Sequence, residues 1–123
     1  NASCLINFGG DLAVTCPRRD SEPWNVGIEA TVGENRASKL ILLHRGGLAT
    51  SGNAKRYVLK KGIRYSHVLD ARTGWPVADA LKSVTVAADT CIEAGMLATM
   101  AMLHGQDAEP FLKESDVQYW CDR

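Results

Sequence analysis

The richest run of potentially reactive side chains lies between residues 67 and 74. The run His67-Val68-Leu69-Asp70-Ala71-Arg72-Thr73-Gly74 brings an imidazole, a carboxylate, a guanidinium and a hydroxyl to one turn. Loops of this composition, held by rigid elements, often bind ligands or carry catalytic groups. A purely structural role is the alternative, in which Asp70 and Thr73 shape the turn through bonds to its backbone and His67 is an ordinary strand residue.

Two further segments could bind an anion. Thr50-Ser51-Gly52 followed by Arg56 offers hydroxyls and a guanidinium to a phosphate. Gly9-Gly10-Asp11, directly after a strand-like run, could bring backbone amides close to one. Neither pattern is specific, because the first also suits a strand end with a glycine turn and the second falls short of a dinucleotide-binding fingerprint.

Length and charge limit the classes of function. The 123 residues have the usual size of one domain, residues 1–123, and 46% of them are hydrophobic. Fourteen basic and fourteen acidic residues cancel, so no global field draws the chain to nucleic acid or to an anionic membrane surface. Six basic residues nevertheless lie between Lys55 and Arg72 against the single acid Asp70, which indicates a local anion site or a solvated hairpin face.

The sequence carries no signal for a metal ribbon or a membrane span. Its four cysteines form no C-x-x-C pair, so we interpret them as thiols, although their even number also permits bridges: Cys4, Cys16, Cys91 and Cys121. No apolar run approaches the roughly 18 residues of a membrane span, and no signal-like or lipid-bearing leader opens the chain.

Short alternating segments predict a sheet that would position these groups. The predicted strands are Cys4 to Phe8, Trp24 to Ala30, Lys39 to His44, Leu48 to Thr50, Arg56 to Lys60, Arg64 to Leu69, Ser83 to Ala87 and Val117 to Cys121. Gly46-Gly47 and Lys61-Gly62 predict two hairpin turns. Because hairpins join antiparallel strands, we expect an antiparallel sheet.

A helix is predicted from Thr90 onward. Thr90 followed by Glu93 matches a capping box, and Gly105 can end the helix in a left-handed conformation. Apolar and small residues surround nearly its whole circumference, so we expect the helix to be buried. With a short second helix over Ala108 to Lys113, the pattern predicts an α+β domain in which helices cover one face of one sheet.

Several of these segments together resemble a known family. In chain order they are "INFGGD" (6–11), "WNVGI" (24–28), "LATSG" (48–52) with Arg56, "YSHVLDARTGWP" (65–76), "SVTVAA" (83–88) and "LAT" (97–99). The combination is similar to the ApbE family of FAD:protein FMN transferases, and to the carboxy-terminal half of its members. The resemblance implies an ApbE-like, T-fold-like domain.

The resemblance also implies a reaction and a site. The family reaction is the Mg²⁺-dependent transfer of FMN from FAD to a threonine or serine of an acceptor protein, with release of AMP. His67 and Asp70 would then be catalytic, and Thr99 would be a metal ligand on the helix. The remaining matched positions would bind FAD: Gly10, Asp11, Thr50, Ser51, Gly52, Arg56, Thr73 and Gly74.

Two departures from the family pattern predict impaired activity. The family has an aspartate four residues before the threonine of the metal helix, whereas this chain has Gly95. Mg²⁺ prefers carboxylate ligands, so its affinity should fall. Family members also have an amino-terminal half that nothing in this chain matches.

Three hypotheses follow from this pattern. The chain is an impaired transferase domain, a non-catalytic flavin-binding module, or a scaffold remnant that persists as an oligomer. A sheet edge left open by a missing half would favour a homo-oligomer. Many family members are exported lipoproteins, but the sequence itself assigns no compartment.

Overall fold

The structure is a computed structural model that describes residues 2–29, 37–52 and 56–123. In these ranges it forms nine strands and two α-helices, with 3-10 turns at Arg19–Ser21 and Gly105–Asp107. The elements are β1 (Leu5–Phe8), β2 (Asp11–Val14), β3 (Trp24–Glu29), β4 (Ala37–Leu43), β5 (Gly46–Gly52), β6 (Tyr57–Lys60), β7 (Ile63–Ser66), β8 (Ser83–Ala88), α1 (Cys91–His104), α2 (Ala108–Glu114) and β9 (Gln118–Asp122).

Five strands form the central antiparallel sheet, in the order β1-β2-β5-β8-β9. Helices α1 and α2 cover one face, where a buried cluster joins β5 and β8 to both helices through Ala49, Val84, Val86, Met102 and Leu112, among others. Each of these five side chains is at most 1% exposed. The α+β class, the antiparallel sheet and the two helices on one face are therefore confirmed.

A ribbon of β3 and β4 covers the opposite face of the sheet. Val26, Ile41 and Leu43 from the ribbon pack with Leu12 and Leu48 of the sheet in a second buried cluster. The sequence did not predict this third layer. Ala30, the last residue of the strand predicted from Trp24, lies outside the described residues.

Helix α1 begins and ends where its sequence predicts. The Thr90 hydroxyl accepts a hydrogen bond from the Glu93 backbone amide at 3.1 Å, and Gly105 follows the helix with a φ of 56°. Small residues let the helix lie close to the sheet, because Ala94, Ala98 and Ala101 are all fully buried.

The prediction that α1 is buried all round is wrong. One face of the helix is exposed, and its four large apolar residues are 42 to 79% exposed: Ile92, Met96, Met100 and Leu103. Only the face with the small residues and Met102 packs on the sheet, because the described elements cover α1 from that side alone.

The predicted hairpin of residues 39–50 is also wrong. β4 pairs with β3, whereas β5 pairs with β2 and β8 in the other sheet. Gly46 and Gly47 begin β5 instead of forming a hairpin turn. Gly47 is required by close packing, since a Cβ at this position would overlap the backbone of Cys91 at the start of α1.

The second predicted hairpin is confirmed. β6 and β7 pair from Tyr57 with Ser66 to Lys60 with Ile63, and Lys61 and Gly62 form the turn with φ of 51° and 77°. These paired positive φ angles are those of a type I′ turn. Lys55, counted in the basic segment, lies outside the described residues.

The remaining elements agree with the sequence to within a few residues, except for one strand. Strands β1, β8 and β9 and helix α2 lie where they were predicted, whereas β2 was missed. Its four residues follow the turn at Gly9-Gly10, and the first of them is Asp11 of the Gly9-Gly10-Asp11 segment. All four cysteines are free thiols. No helix in the described ranges has the length and hydropathy needed to cross a membrane.

Candidate functional site

Helix α1 lies along strand β5, and their residues meet in a regular series. A Cβ at Gly47 would overlap Cys91, a Cβ at Gly95 would lie 3.8 Å from the Cβ of Ala49, and the Ser51 hydroxyl lies 2.9 Å from the Thr99 hydroxyl. Two strand residues advance about 6.6 Å and four helical residues about 6.0 Å, so the two repeats stay in step. This packing places Thr99 beside the carboxyl end of β5.

A polar cleft of about 340 Å³ opens at that end of the strand. Its lining comes from β5, the segments on either side of the β6–β7 hairpin, the β1–β2 turn and α1: Gly9, Thr50, Ser51, Gly52, Arg56, His67, Val68, Thr99 and Met102. Six of the predicted site residues are among them. These six residues, separated by up to 49 positions (50 to 99) in the sequence, are thus brought to one surface.

Hydrogen bonds hold the three side-chain hydroxyl groups that line the cleft in fixed positions. The Ser51 and Thr99 hydroxyls share a hydrogen bond of 2.9 Å, and those of Thr50 and Thr85 share one of 2.8 Å. Thr85, on the neighbouring strand β8, is 1% exposed and holds the Thr50 hydroxyl through this bond. Sequence reasoning missed Thr85, although it faces Thr50 once the register of β5 and β8 is known.

Arg56 and His67 stand at the wall of the cleft. The Nδ1 atom of His67 lies 2.9 Å from the backbone carbonyl oxygen of Arg56. A carbonyl only accepts hydrogen bonds, so Nδ1 carries the proton and the Nε2 atom of a neutral His67 is an acceptor. The side chains of both residues are exposed, so both can reach a ligand.

A larger cleft of about 550 Å³ adjoins the polar one. The two clefts share Gly9, Thr50, Gly52 and Arg56. The larger cleft adds Gly10 and a set of apolar residues from three strands: Leu12, Val26, Ile28 and Leu48. A ligand with a flat apolar part and an anionic part would suit this pair of clefts.

The Gly10 amide is held by a side chain that sequence reasoning did not single out. The Asn7 Oδ1 atom accepts a hydrogen bond from the Gly10 backbone N–H at 3.0 Å. Asn7 also lines the larger cleft. It belongs to the "INFGGD" segment, so the motif contained this residue although its role in the turn was not predicted.

The turn from Asp70 to Trp75 does not contribute to the lining of either cleft. The Asp70 carboxylate accepts hydrogen bonds from Nε and Nη2 of Arg72 at 3.0 and 2.7 Å and from the Arg72 amide at 2.9 Å. The Arg72 side chain, with its backbone amide, lowers the pKa of Asp70 to about 2. The Gly74 amide donates to the Asp70 carbonyl at 2.7 Å, and the Thr73 hydroxyl accepts from the Trp75 amide at 3.2 Å.

Asp11 lies elsewhere, near the amino end of α1. Burial, and secondly the charge of Asp11, raise the pKa of the Cys91 thiol. Asp11 does not line either of the two clefts. Among the described residues of the "GGD" segment, only Gly9 and Gly10 contribute to their lining.

The described residues do not fit a metal site of their own. They contain no group of three His, Cys, Asp or Glu side chains that could hold a metal ion. Ser51 and Thr99 each offer a hydroxyl oxygen, whereas Gly95, one helical turn before Thr99, has no side chain to contribute. Mg²⁺ normally takes one or two carboxylates together with phosphate and water.

The chain resembles proteins of known activity over most of its length. The model of the ApbE family matches residues 1–120. FAD:protein FMN transferases of Vibrio cholerae and Escherichia coli are 34% and 36% identical to this chain, in alignments that cover 84% of it. The chain spans about a third of the length of these relatives (31% and 30%). The ApbE protein of Thermotoga maritima superposes with a TM-score of 0.83 at 28% identity, over 97% of this chain and 39% of that one. The flavinyl transferase ApbE of Pseudomonas stutzeri superposes with a TM-score of 0.78 at 29% identity, over 95% and 36%. The chain belongs to the ApbE family.

Proposed function

We propose that the chain forms part of a flavin-nucleotide site of an FAD:protein FMN transferase, in which the paired clefts bind FAD. The supporting observation is the convergence of Thr50, Ser51, Gly52, Arg56, His67 and Thr99 on one polar cleft beside an apolar one. The pyrophosphate would lie against the hydroxyls and the Arg56 guanidinium, because charge-assisted bonds to phosphate are the strong ones. The apolar cleft would take a ring system.

The proposed reaction is a phosphoryl-type transfer. The hydroxyl oxygen of an acceptor threonine or serine forms a bond to the phosphorus of the FMN moiety, the bond from that phosphorus to the bridging oxygen breaks, and AMP leaves. His67 is the proposed base, because the Arg56 carbonyl fixes its proton on Nδ1 and leaves Nε2 to accept the hydroxyl proton. Arg56 would neutralise charge on the phosphates.

Asp70, Thr73 and Gly74 have a positioning role in this proposal. The Asp70–Arg72 bonds and the Gly74 amide bond fix the turn that follows His67. We assign no step to Mg²⁺, because the described residues contain no group of three His, Cys, Asp or Glu side chains that could hold the ion.

A non-catalytic flavin-binding module is the second candidate. Gly95 favours it, because the helical turn before Thr99 carries no ligand for a metal that would neutralise the pyrophosphate. The two candidates differ in AMP release from FAD when an acceptor is supplied, which the transferase produces and the module does not.

The test is a titration of FAD with the chain, followed by flavin fluorescence anisotropy with and without Mg²⁺. Saturable binding that weakens in Arg56→Gln supports the flavin site, and Lys113→Gln on α2 is the matched control for loss of one exposed charge. An unchanged anisotropy at all concentrations would contradict both candidates and leave the scaffold hypothesis.

A further inference from the structure

The β6–β7 hairpin connects two segments that line the polar cleft. Val58, Leu59 and Ile63 are 61, 66 and 56% exposed, and within the described residues β6 and β7 pair only with each other. An isolated two-stranded hairpin is marginally stable in water. Adjoining apolar side chains exposed in this way commonly mark an interaction surface.

The residues that flank the hairpin on both sides line the polar cleft. Arg56 precedes β6, His67 follows β7, and both residues line the polar cleft. The 2.9 Å contact between His67 Nδ1 and the Arg56 carbonyl closes the base of the hairpin. A molecule bound along the hairpin therefore has a continuous path to the proposed reacting atoms.

The side chains of the hairpin are mainly apolar or cationic. The pairing of Val58 with Tyr65 and of Lys60 with Ile63 puts these four residues on one face. The turn adds Lys61, and on the other face the Arg64 guanidinium lies 4.0 Å from the centre of the Tyr57 ring. No acidic residue occurs from 56 to 69. The complementary ligand carries aliphatic and acidic side chains.

We propose that this hairpin is the docking arm for the polypeptide that receives FMN, and that it binds an extended segment with aliphatic and acidic residues. The proposal rests on the proposed transferase function. An extended segment can pair with the open edge of a strand while its side chains contact the exposed face. The hairpin would thereby hold the acceptor hydroxyl near His67.

The geometry also predicts where the acidic residues lie in the acceptor. Lys60 and Lys61 are four and five residues beyond Arg56. At roughly 3.3 Å per extended residue, this places them roughly 13 and 16 Å from the cleft. Acids four or five positions from the acceptor threonine should therefore meet these lysines.

The test uses two fluorescein-labelled peptides with one threonine and flanking aliphatic residues. One has acids four and five positions from the threonine, and the other has the corresponding amides. We expect the acidic peptide to bind the chain in anisotropy titrations, and the variant Lys60→Glu/Lys61→Glu to bind it at least about tenfold more weakly. Lys39→Glu/Lys113→Glu, which changes the same charge at exposed positions elsewhere, should bind like the wild type.

Three results would overturn the docking arm: equal affinity for acidic and amide peptides, equal losses in both double variants, or binding to phosphatidylglycerol vesicles in place of the peptide. FAD titrations on the same samples separate this proposal from the transferase function. FAD binding without peptide binding contradicts the arm alone, whereas charge-dependent peptide binding without FAD binding contradicts the flavin site alone.

Discussion

The hydroxyl of Ser51, near the end of strand β5, lies 2.9 Å from the hydroxyl of Thr99 on helix α1. These residues are 48 positions apart in the sequence, and their contact fixes the helix against the mouth of the polar cleft. The proposed flavin site depends on this contact, because Ser51 and Thr99 both line the cleft.

Removing either hydroxyl should weaken FAD binding. We expect Ser51→Ala and Thr99→Val each to lower FAD affinity about fivefold, the effect of losing a hydrogen bond worth about 1 kcal/mol. Flavin anisotropy measures the change. Ser115→Ala is the control, since that hydroxyl bonds to the Phe111 carbonyl on α2. Unchanged affinity in both site variants would place the phosphates elsewhere.

An aspartate at position 95 should create metal dependence. A Cβ there has room, with the Cβ of Ala49 at an ordinary 3.8 Å, and it lies one helical turn before Thr99. We expect Gly95→Asp to make FAD binding at least about tenfold tighter in the presence of Mg²⁺, because a carboxylate is a preferred ligand. Gly95→Ala is the control and should respond to Mg²⁺ as the wild type does. If the two variants behave alike, no ion lies at Thr99.

The amino-terminal cap of α1 should contribute measurably to stability. The Thr90 hydroxyl accepts a hydrogen bond from the Glu93 backbone amide, which has no acceptor inside the helix. Thr90→Ala should lower the free energy of unfolding by about 1 kcal/mol in urea titrations, whereas Thr90→Ser should retain most of it. A loss of equal size in both variants would mean that the methyl group of Thr90, not its hydroxyl, is responsible.

The turn at Asp70 should withstand acid. The pKa of this carboxyl is lowered to about 2 from its usual 3.8, so the ionised group favours the folded turn above pH 3.8, and this contribution disappears as the pH falls through about 2. The chemical shift of the Asp70 carboxyl carbon should titrate with a midpoint near 2 in NMR. In Arg72→Gln the midpoint should move back toward 3.8. A wild-type midpoint near 3.8 would mean that the pair with Arg72 does not persist in solution.

Close packing at Gly47 should tolerate no side chain. In Gly47→Ala the new methyl group would overlap the backbone of Cys91, so the helix must shift. We expect a loss of about 1–3 kcal/mol in the free energy of unfolding, together with weaker FAD binding. Gly95→Ala, which has space, should instead be neutral or stabilising by up to about 1 kcal/mol. Equal stability of both variants would contradict the packing of α1 on β5.

Local sequence signals predicted the positions of helices and strands better than they predicted which elements pack or pair with one another. Thr90, Glu93 and Gly105 mark α1 because capping involves only neighbouring residues. The prediction of a hairpin turn at Gly46-Gly47 was wrong, because a glycine pair suits both a tight turn and a close approach by a helix. Only the tertiary structure distinguishes the two. The exposed side of α1 was missed for a similar reason, since its apolar residues resemble those of a buried helix.

The candidate site shows the same limit. The motifs identified Ser51, Arg56, His67 and Thr99, and their meeting in one cleft was expected only from the resemblance to the family. Periodicity and turn signals contain no information on contacts across 48 residues. The partner of Thr50, which is Thr85, needed the register of β5 and β8.

Because the repeats of β5 and α1 match, the geometry of the cleft depends on the number of residues in each element. Gly47, Ala49 and Ser51 face Cys91, Gly95 and Thr99, so every second strand residue meets every fourth helical residue. Deleting one residue between Gly47 and Ser51 would turn the serine to the opposite face of the sheet, because side chains alternate along a strand. The length of this five-residue segment is therefore as strictly constrained as its composition: substitutions within it alter the site by degrees, whereas a change of one residue in its length removes the serine from the site.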